Sequence, residues 1–178
     1  RGVCGAGQGD RHHLVSQVTE HSAVLAPLAR LEREGWEVTL LGVDSRGRIR
    51  LDELEAALRP DTVLVSLMAA NNETGVRQPV GEAVTLAHAA GTLLHCDAAQ
   101  AVGKVPVSVA ELDVDLLSLS AHKLYGPKGS GALYVRPGVR LEPLLEGGGQ
   151  ERGLRSGTPN VPGAVGLAAA LALVLADL

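Results

Sequence analysis

The sequence predicts an α/β protein, a three-layer sandwich on a mostly parallel sheet, and three observations carry that prediction. Short, nearly continuous apolar runs such as Thr62–Met68 alternate with segments whose apolar residues recur at helical spacing. That is the pattern of strands buried on both faces and joined by crossover helices. The helical segments stop at glycines such as Gly35 and Gly91. Three apolar runs end in polar clusters, Asn71-Asn72-Glu73-Thr74-Gly75, Asp97-Ala98-Ala99-Gln100 and Ser120-Ala121-His122-Lys123, and the carboxyl ends of strands are where open parallel sheets hold ligands.

Each element can be justified in chain order. Residues 13–18 form a β-rich run. A helix is predicted over 23–34, where Leu25, Leu28, Ala29 and Leu31 share a face, Ser22 is placed to cap the start and Gly35 to end it. Residues 37–43 read as a strand, and 52–58 as a short helix with acids in its first turn, stopped by Pro60. Thr62–Met68 is a strand rich in Val and Leu, 80–90 a helix closed by Gly91, and 92–96 a strand. A helical turn over Val109–Leu112 leads to a strand through Leu116, Leu117 and Leu119. The turn Gly126-Pro127-Lys128-Gly129-Ser130-Gly131 separates it from a strand over 132–135. The final segment, 163–178, is an apolar helix; its run 164–176 is too short to span a bilayer and contains Gly166, so burial in the core is expected.

The chain has 178 residues, of which 46% are hydrophobic, enough for one domain with a sizeable core. Its formal net charge is −4 with Lys and Arg scattered, and aromatics make up 2%. Those values argue against a nucleic-acid partner, which calls for a basic stripe or stacking platforms, and no membrane segment is expected. Cys4 and Cys96 form no Cys-x-x-Cys pattern, so a reduced, cytoplasmic protein is the expectation. The chain opens on Arg1 with a Gly-rich stretch and no apolar leader, which reads as an internal piece of a longer chain. His12 and His13, adjacent on a strand, point to opposite faces, so no metal is assigned.

Lys123 sits where a buried strand meets a loop, a setting in which partial desolvation makes a lysine amine a usable nucleophile for a Schiff base. Pyridoxal phosphate needs such a lysine and an acid that keeps its pyridine nitrogen protonated. Lys123 and Asp97, on consecutive strand ends, are of the right types. Gln100 is placed to reach the ring's phenolate oxygen, and Ser120 and His122 offer donors suited to a phosphate. Taken singly, each has an ordinary reading: a solvated lysine, a capping acid, an exposed glutamine. A nucleotide-binding Rossmann domain fits less well, because Glu20-His21-Ser22 stands where a Gly-x-Gly-x-x-Gly would be needed.

Five blocks together carry a resemblance. Thr19-Glu20-His21-Ser22-Ala23-Val24-Leu25, Ala70-Asn71-Asn72-Glu73-Thr74-Gly75, His95-Cys96-Asp97-Ala98-Ala99-Gln100, Ser120-Ala121-His122-Lys123-Leu124-Tyr125-Gly126-Pro127-Lys128-Gly129 and Gly147-Gly148-Gly149-Gln150-Glu151-Arg152-Gly153-Leu154-Arg155-Ser156-Gly157-Thr158 resemble the signatures of cysteine desulfurases. These are class V aminotransferase-type enzymes of pyridoxal-phosphate fold type I. The resemblance implies that Lys123 bonds the cofactor and moves the proton at the substrate's alpha carbon, and that His21 stacks on the pyridine ring and aids proton transfer. It implies that Asp97 pairs with the ring nitrogen and Gln100 with the phenolate oxygen, that Asn72 holds a substrate or cofactor oxygen, and that Ser120 and His122 bind the phosphate. Thr158 would reach the phosphate in the neighbouring subunit of a homodimer.

The implied reaction takes L-cysteine to L-alanine and leaves sulfur as an enzyme persulfide for an acceptor protein such as an iron-sulfur scaffold. Two parts of the family pattern, the persulfide cysteine and the arginine that grips the substrate carboxylate, fall beyond Leu178. The upstream Gly-Thr phosphate loop is also missing, and Gly5-Ala6-Gly7 does not replace it. Residues 1–178 are therefore expected to be a partial large, cofactor-binding domain without the small C-terminal domain, unable to complete turnover alone. Selenocysteine lyase, which the block from Met68 to Gly75 also resembles, another class V aminotransferase and a non-catalytic dimerising remnant are the other readings.

Overall fold

Strand β1 (His13–Gln17) is buried at every position, which requires a neighbour on each edge and cover on each face. In this computed structural model, which describes residues 2–5, 9 and 11–178, both edges are filled by parallel strands. One is β2 (Glu37–Leu41) and the other β3 (Thr62–Met68). The sheet continues through β4 (Leu93–Asp97) and β5 (Leu116–Ser120), both parallel, and ends with antiparallel β6 (Gly131–Val135). The order is β2-β1-β3-β4-β5-β6. Ala6 and Gly7 of the Gly-rich start lie outside the described residues.

The helices are α1 (Gly2–Gly5), α2 (Ser22–Arg33), α3 (Leu51–Ala57), α4 (Val80–Ala89), α5 (Val109–Leu112) and α6 (Val161–Ala176), with 3-10 turns at Ala121–Leu124 and Glu151–Gly153. On one face Val15, Val65, Leu67, Leu94 and Cys96 pack with Leu54 of α3, Val80, Ala83, Val84 and Ala87 of α4, and Ala170 of α6. On the other, Leu14, Val63 and Leu116 meet Leu28 and Leu31 of α2. The layered α/β architecture is the one expected. Cys96 is fully buried core, as its setting in a strand implies.

Two expectations are corrected. The cap of α2 is His21, not Ser22: the His21 backbone is extended and its Nδ1 accepts from Ala23 N at 3.1 Å. Ser22 is already the first helical residue. The second correction concerns α6, of which only Gly163 and Ala170 are buried, while Val165 is 63% and Leu173 70% exposed. The helix approaches the loop after β5 at its small residues, where a Cβ on Gly166 would lie 2.9 Å from Pro127 Cγ, and half-buries Leu167, Leu171 and Val174 against the core. That contact buries little of a helix that is apolar all round. No helix among the described residues is long and apolar enough to cross a membrane.

Candidate active site

The sheet runs away from β1 in both directions, to β2 on one side and to β3 on the other. Connections leaving the carboxyl ends of β1 and β3 therefore diverge and open a crevice at the switch point. A pocket of about 520 Å³ lies there, lined by Thr19, Glu20 and His21 after β1 and by Asn71 to Thr74 after β3. A second, of about 440 Å³, lies beyond the Asn71–Gly75 loop and is lined by Gln100 and Lys104 after β4. The loop from Asn71 to Thr74 is the wall between them.

The two asparagines of that wall have separate tasks. Asn71 Nδ2 donates to Thr19 O at 3.0 Å, and its Oδ1 accepts from the Glu73 and Thr74 amides at 2.9 Å. It is spent on shaping the loop. Asn72 is exposed and lines both pockets. Across from it, His21 is exposed with Nδ1 committed to the α2 cap, which puts the ring proton on Nε2.

Asp97 ends β4 and turns the chain: its Oδ1 accepts from Ala99 N at 3.0 Å, leaving Oδ2 for another donor. Below it, a row of polar side chains crosses the sheet. Ser16 Oγ donates to Ser66 O at 2.8 Å, Ser66 Oγ bonds His95 Nδ1 at 2.8 Å, and His95 Nε2 bonds Ser118 Oγ at 3.0 Å. Burial holds the His95 imidazole below its ordinary value, so this row is neutral and fixes four strands in register beneath the site. Its spacing along the strands, one pair below Asp97, is a period-2 signal that sequence reading did not extract.

Ser120 closes β5 half-buried, and the 3-10 turn that follows carries His122 and Lys123. Lys123 is exposed, so the desolvated setting expected of it is not found. It is close to a second ammonium: Lys104, which donates to Gln100 Oε1 at 3.1 Å, has its pKa lowered by burial and by the charge of Lys123. Gln100, Lys104 and Lys123 thus lie together past the ends of β4 and β5. His21, Asn72 and Gln100 line the two pockets, whereas Asp97, Ser120, His122 and Lys123 stand on the neighbouring strand ends. Thr158 sits apart, exposed, on a loop held by Gly157 N donating to Gln150 Oε1 at 2.9 Å and Gly149 N donating to Ser156 Oγ at 3.2 Å.

Two residues near the crevice were given no role from sequence. Lys104 lies four residues past Gln100, on the same side of a helical turn, a spacing that could have flagged it. Glu20 is 6% exposed although charged in type. Its Oε1 accepts from Met68 N at 2.5 Å and from Gln17 Nε2 at 3.0 Å, and burial pushes its pKa up to about 7.

A mostly parallel open sheet with a crevice at its switch point and polar side chains on the neighbouring strand ends is an α/β architecture of the kind that holds ligands at those ends. The model for the family described as aminotransferase class-V matches residues 3–178, and the chain belongs to that family. It is 55% identical over 168 residues to "Cysteine desulfurase IscS" of Anaeromyxobacter sp. (strain K), covering 93% of this chain and 42% of that protein. Among solved structures it is similar to a "NIFS-LIKE PROTEIN" (TM-score 0.95, 46% identity, 98% of this chain and 48% of that one). It is also similar to "SspA in complex with cysteine" (TM-score 0.92, 41% identity, 96% and 50%). The chain thus spans about 42% of the length of the curated relative. The fold is that of the pyridoxal-phosphate enzymes of fold type I, and class V aminotransferases and cysteine desulfurases depend on that cofactor.

The residues present fit such a group. Thr19 Oγ1 and Glu20 Oε2, on the crevice wall, are buried without a partner, Asp97 keeps one oxygen for a protonated ring nitrogen, the Lys123 amine is exposed just past the next strand end, and the Lys104 ammonium near it suits a phosphate.

Proposed function

We propose that this chain is the central part of the large, cofactor-binding domain of a pyridoxal-phosphate-dependent cysteine desulfurase. The observation that carries the reading is Asp97 at the end of β4 and Lys123 just past the end of the paired strand β5, with Gln100 and Lys104 near Lys123, beside a crevice walled by His21 and Asn72. The 55% identity to a cysteine desulfurase and the likeness to a structure in complex with cysteine support the substrate class. Bound at these strand ends, pyridoxal phosphate supplies an electron sink for bond breaking next to the substrate's alpha carbon. Lys123 holds the cofactor through its amine and moves the proton at the alpha carbon. Asp97 Oδ2 accepts from the ring nitrogen, Gln100 donates to the phenolate oxygen, and His21 lies against the ring with a proton available on Nε2. Asn72 orients a substrate or cofactor oxygen, and Ser120 and His122 bind phosphate.

Sulfur leaves L-cysteine for a thiol and then an acceptor protein such as an iron-sulfur scaffold, with L-alanine as the other product. In a homodimer, Thr158 reaches the phosphate of the neighbouring subunit, and the exposed apolar side of α6 is available for subunit contact. We place the protein in the cytoplasm.

The test is direct. Purified chain is incubated with pyridoxal phosphate, gel-filtered and examined by visible absorption, with Lys123→Ala in parallel. A retained yellow band, bleached by borohydride and absent in Lys123→Ala, is the expected outcome; a band of equal strength in Lys123→Ala would reject Lys123 as the attachment point.

A further inference from the structure

Glu20 belongs to the turn between β1 and α2, the turn that carries His21. Its carboxyl does not face solvent but reaches the end of β3, where Oε1 accepts from Met68 N at 2.5 Å, with Gln17 Nε2 at 3.0 Å on the same oxygen. Met68 is the register partner of Asp97. The same two segments are tied once more by Asn71 Nδ2 on Thr19 O. The other oxygen, Glu20 Oε2, is buried with no partner, and so are two more oxygens of the same short stretch, Gln17 Oε1 and Thr19 Oγ1. As a carboxylate, Glu20 would carry a buried charge on an oxygen that no donor meets; a proton on Oε2 removes that charge.

We propose that Glu20 is a positioning residue of this site, a neutral carboxyl that fastens the His21 turn to the end of β3 beside Asp97 and releases that hold when it ionises. The surroundings of the carboxyl agree. β1 contributes Gln17 and β3 the Met68 amide, both uncharged, while Asp97 and the Cys96 thiol face it from β4. None of the groups acting on it is a cation. Burial is the main influence, the Asp97 charge adds to it, and the two hydrogen bonds oppose it, leaving a pKa of about 7 against an ordinary 4.5. Ionisation would set a second negative charge near that of Asp97, with an unsatisfied oxygen that draws in water or moves the turn. The importance of this hold for a pyridoxal site rests on the functional reading above; the hold itself does not.

The test follows thermal unfolding of the cofactor-free chain between pH 4 and 9 for wild type, Glu20→Gln and Glu20→Ala, together with retention of pyridoxal phosphate at each pH. A carboxyl whose folded pKa is raised stabilises the fold fully below its unfolded value of 4.5, and that contribution is lost as pH rises through about 7. His13 and His95, held below their ordinary values chiefly by burial, act with the opposite sign as pH falls through this window. The quantity read is therefore the difference between wild type and Glu20→Gln, the isostere of the neutral acid. Relative to the variant, wild type should lose about 5 °C or more between pH 4.5 and 8. Its cofactor retention should fall severalfold above pH 7 while that of Glu20→Gln stays level, and Glu20→Ala should be weakened at every pH. Parallel pH profiles for wild type and Glu20→Gln would overturn the proposal. If the unfolding difference appears but no form retains cofactor at any pH, the pyridoxal reading fails and the fastening role stands.

Discussion

Asp97 and Ser118 are register partners across β4 and β5, and that pairing sets the geometry of the strand ends. Two residues further, at Ser120, β5 gives way to the 3-10 turn bearing His122 and Lys123. Because a strand rises about 3.3 Å per residue, that turn begins about 7 Å beyond the level of Asp97. An acid at the end of an interior strand and an amine on a turn above the next strand can hold opposite ends of one flat ligand, which neither could do from the same level.

Asp97→Asn tests the acid. Asparagine keeps the shape and can still accept from Ala99 N, the contact Asp97 makes at 3.0 Å, but it cannot hold a protonated ring nitrogen by charge. A hydrogen bond to a charged group contributes about 1.5–3 kcal/mol, so affinity for pyridoxal phosphate should fall roughly ten- to a hundredfold. Spectroscopic titration measures it, with unchanged far-UV circular dichroism as the control.

The opposite end of the sheet has a pH signature of its own. Arg59 bonds Asp61 at 2.6 Å and Glu37 at 2.5 Å, and the guanidinium holds the Asp61 carboxyl down to about 2 against an ordinary 3.8. A depressed carboxyl stabilises the fold above its unfolded pKa and ceases to do so as pH falls through the folded one. Urea unfolding should therefore weaken below about pH 4 in wild type, and less steeply in Arg59→Met. Added salt should shrink the difference between them, since these groups are near solvent.

Leu94 and Leu173 separate buried from exposed apolar surface. Leu94 is fully enclosed in the core under α4, and Leu173 is 70% exposed on α6. Leu94→Ala should cost about 2–5 kcal/mol in urea unfolding. Leu173→Ser should change it by no more than about 0.5 kcal/mol, and should lower any self-association seen by sedimentation.

The contrast between those two leucines also shows what could be read from the chain. Strands buried on both faces announce themselves as continuous apolar runs, and Thr62–Met68 folds with the boundaries its residues suggest. The polar ends were legible for the same reason, since Asp97 and Lys123 interrupt such runs. An all-apolar helix such as α6 has no polar face to orient it, so composition could not say which of its residues, Gly163, Leu167, Ala170, Leu171 and Val174, turn inward. The 3-10 turn at Ala121–Leu124 is fixed by the Ala121 N to Ser130 O bond, a contact across a nine-residue gap that local pattern does not encode. Glu20 escaped notice because its partner, the Met68 amide, is 48 residues away.

Gly131 joins fold and site. It pairs with Ser120 at the end of the antiparallel β5–β6 ladder, immediately before the turn that carries Lys123. A Cβ there would lie 2.5 Å from Leu119 O, a backbone atom that cannot swing aside as a side chain could. Gly131→Ala must therefore push the two strands apart or tilt the end of β5, and overpacking of this kind costs about 1–3 kcal/mol. The urea midpoint should fall accordingly. Because the displacement is transmitted first to Ser120 and the Lys123 turn, retention of pyridoxal phosphate should fall even under conditions where the variant remains fully folded. A control at Gly129, whose φ is +78° but whose Cβ position is open, should lose stability through backbone strain while disturbing cofactor retention less. Equal loss of retention in both variants would mean that the loop as a whole, rather than the register at Ser120, positions Lys123.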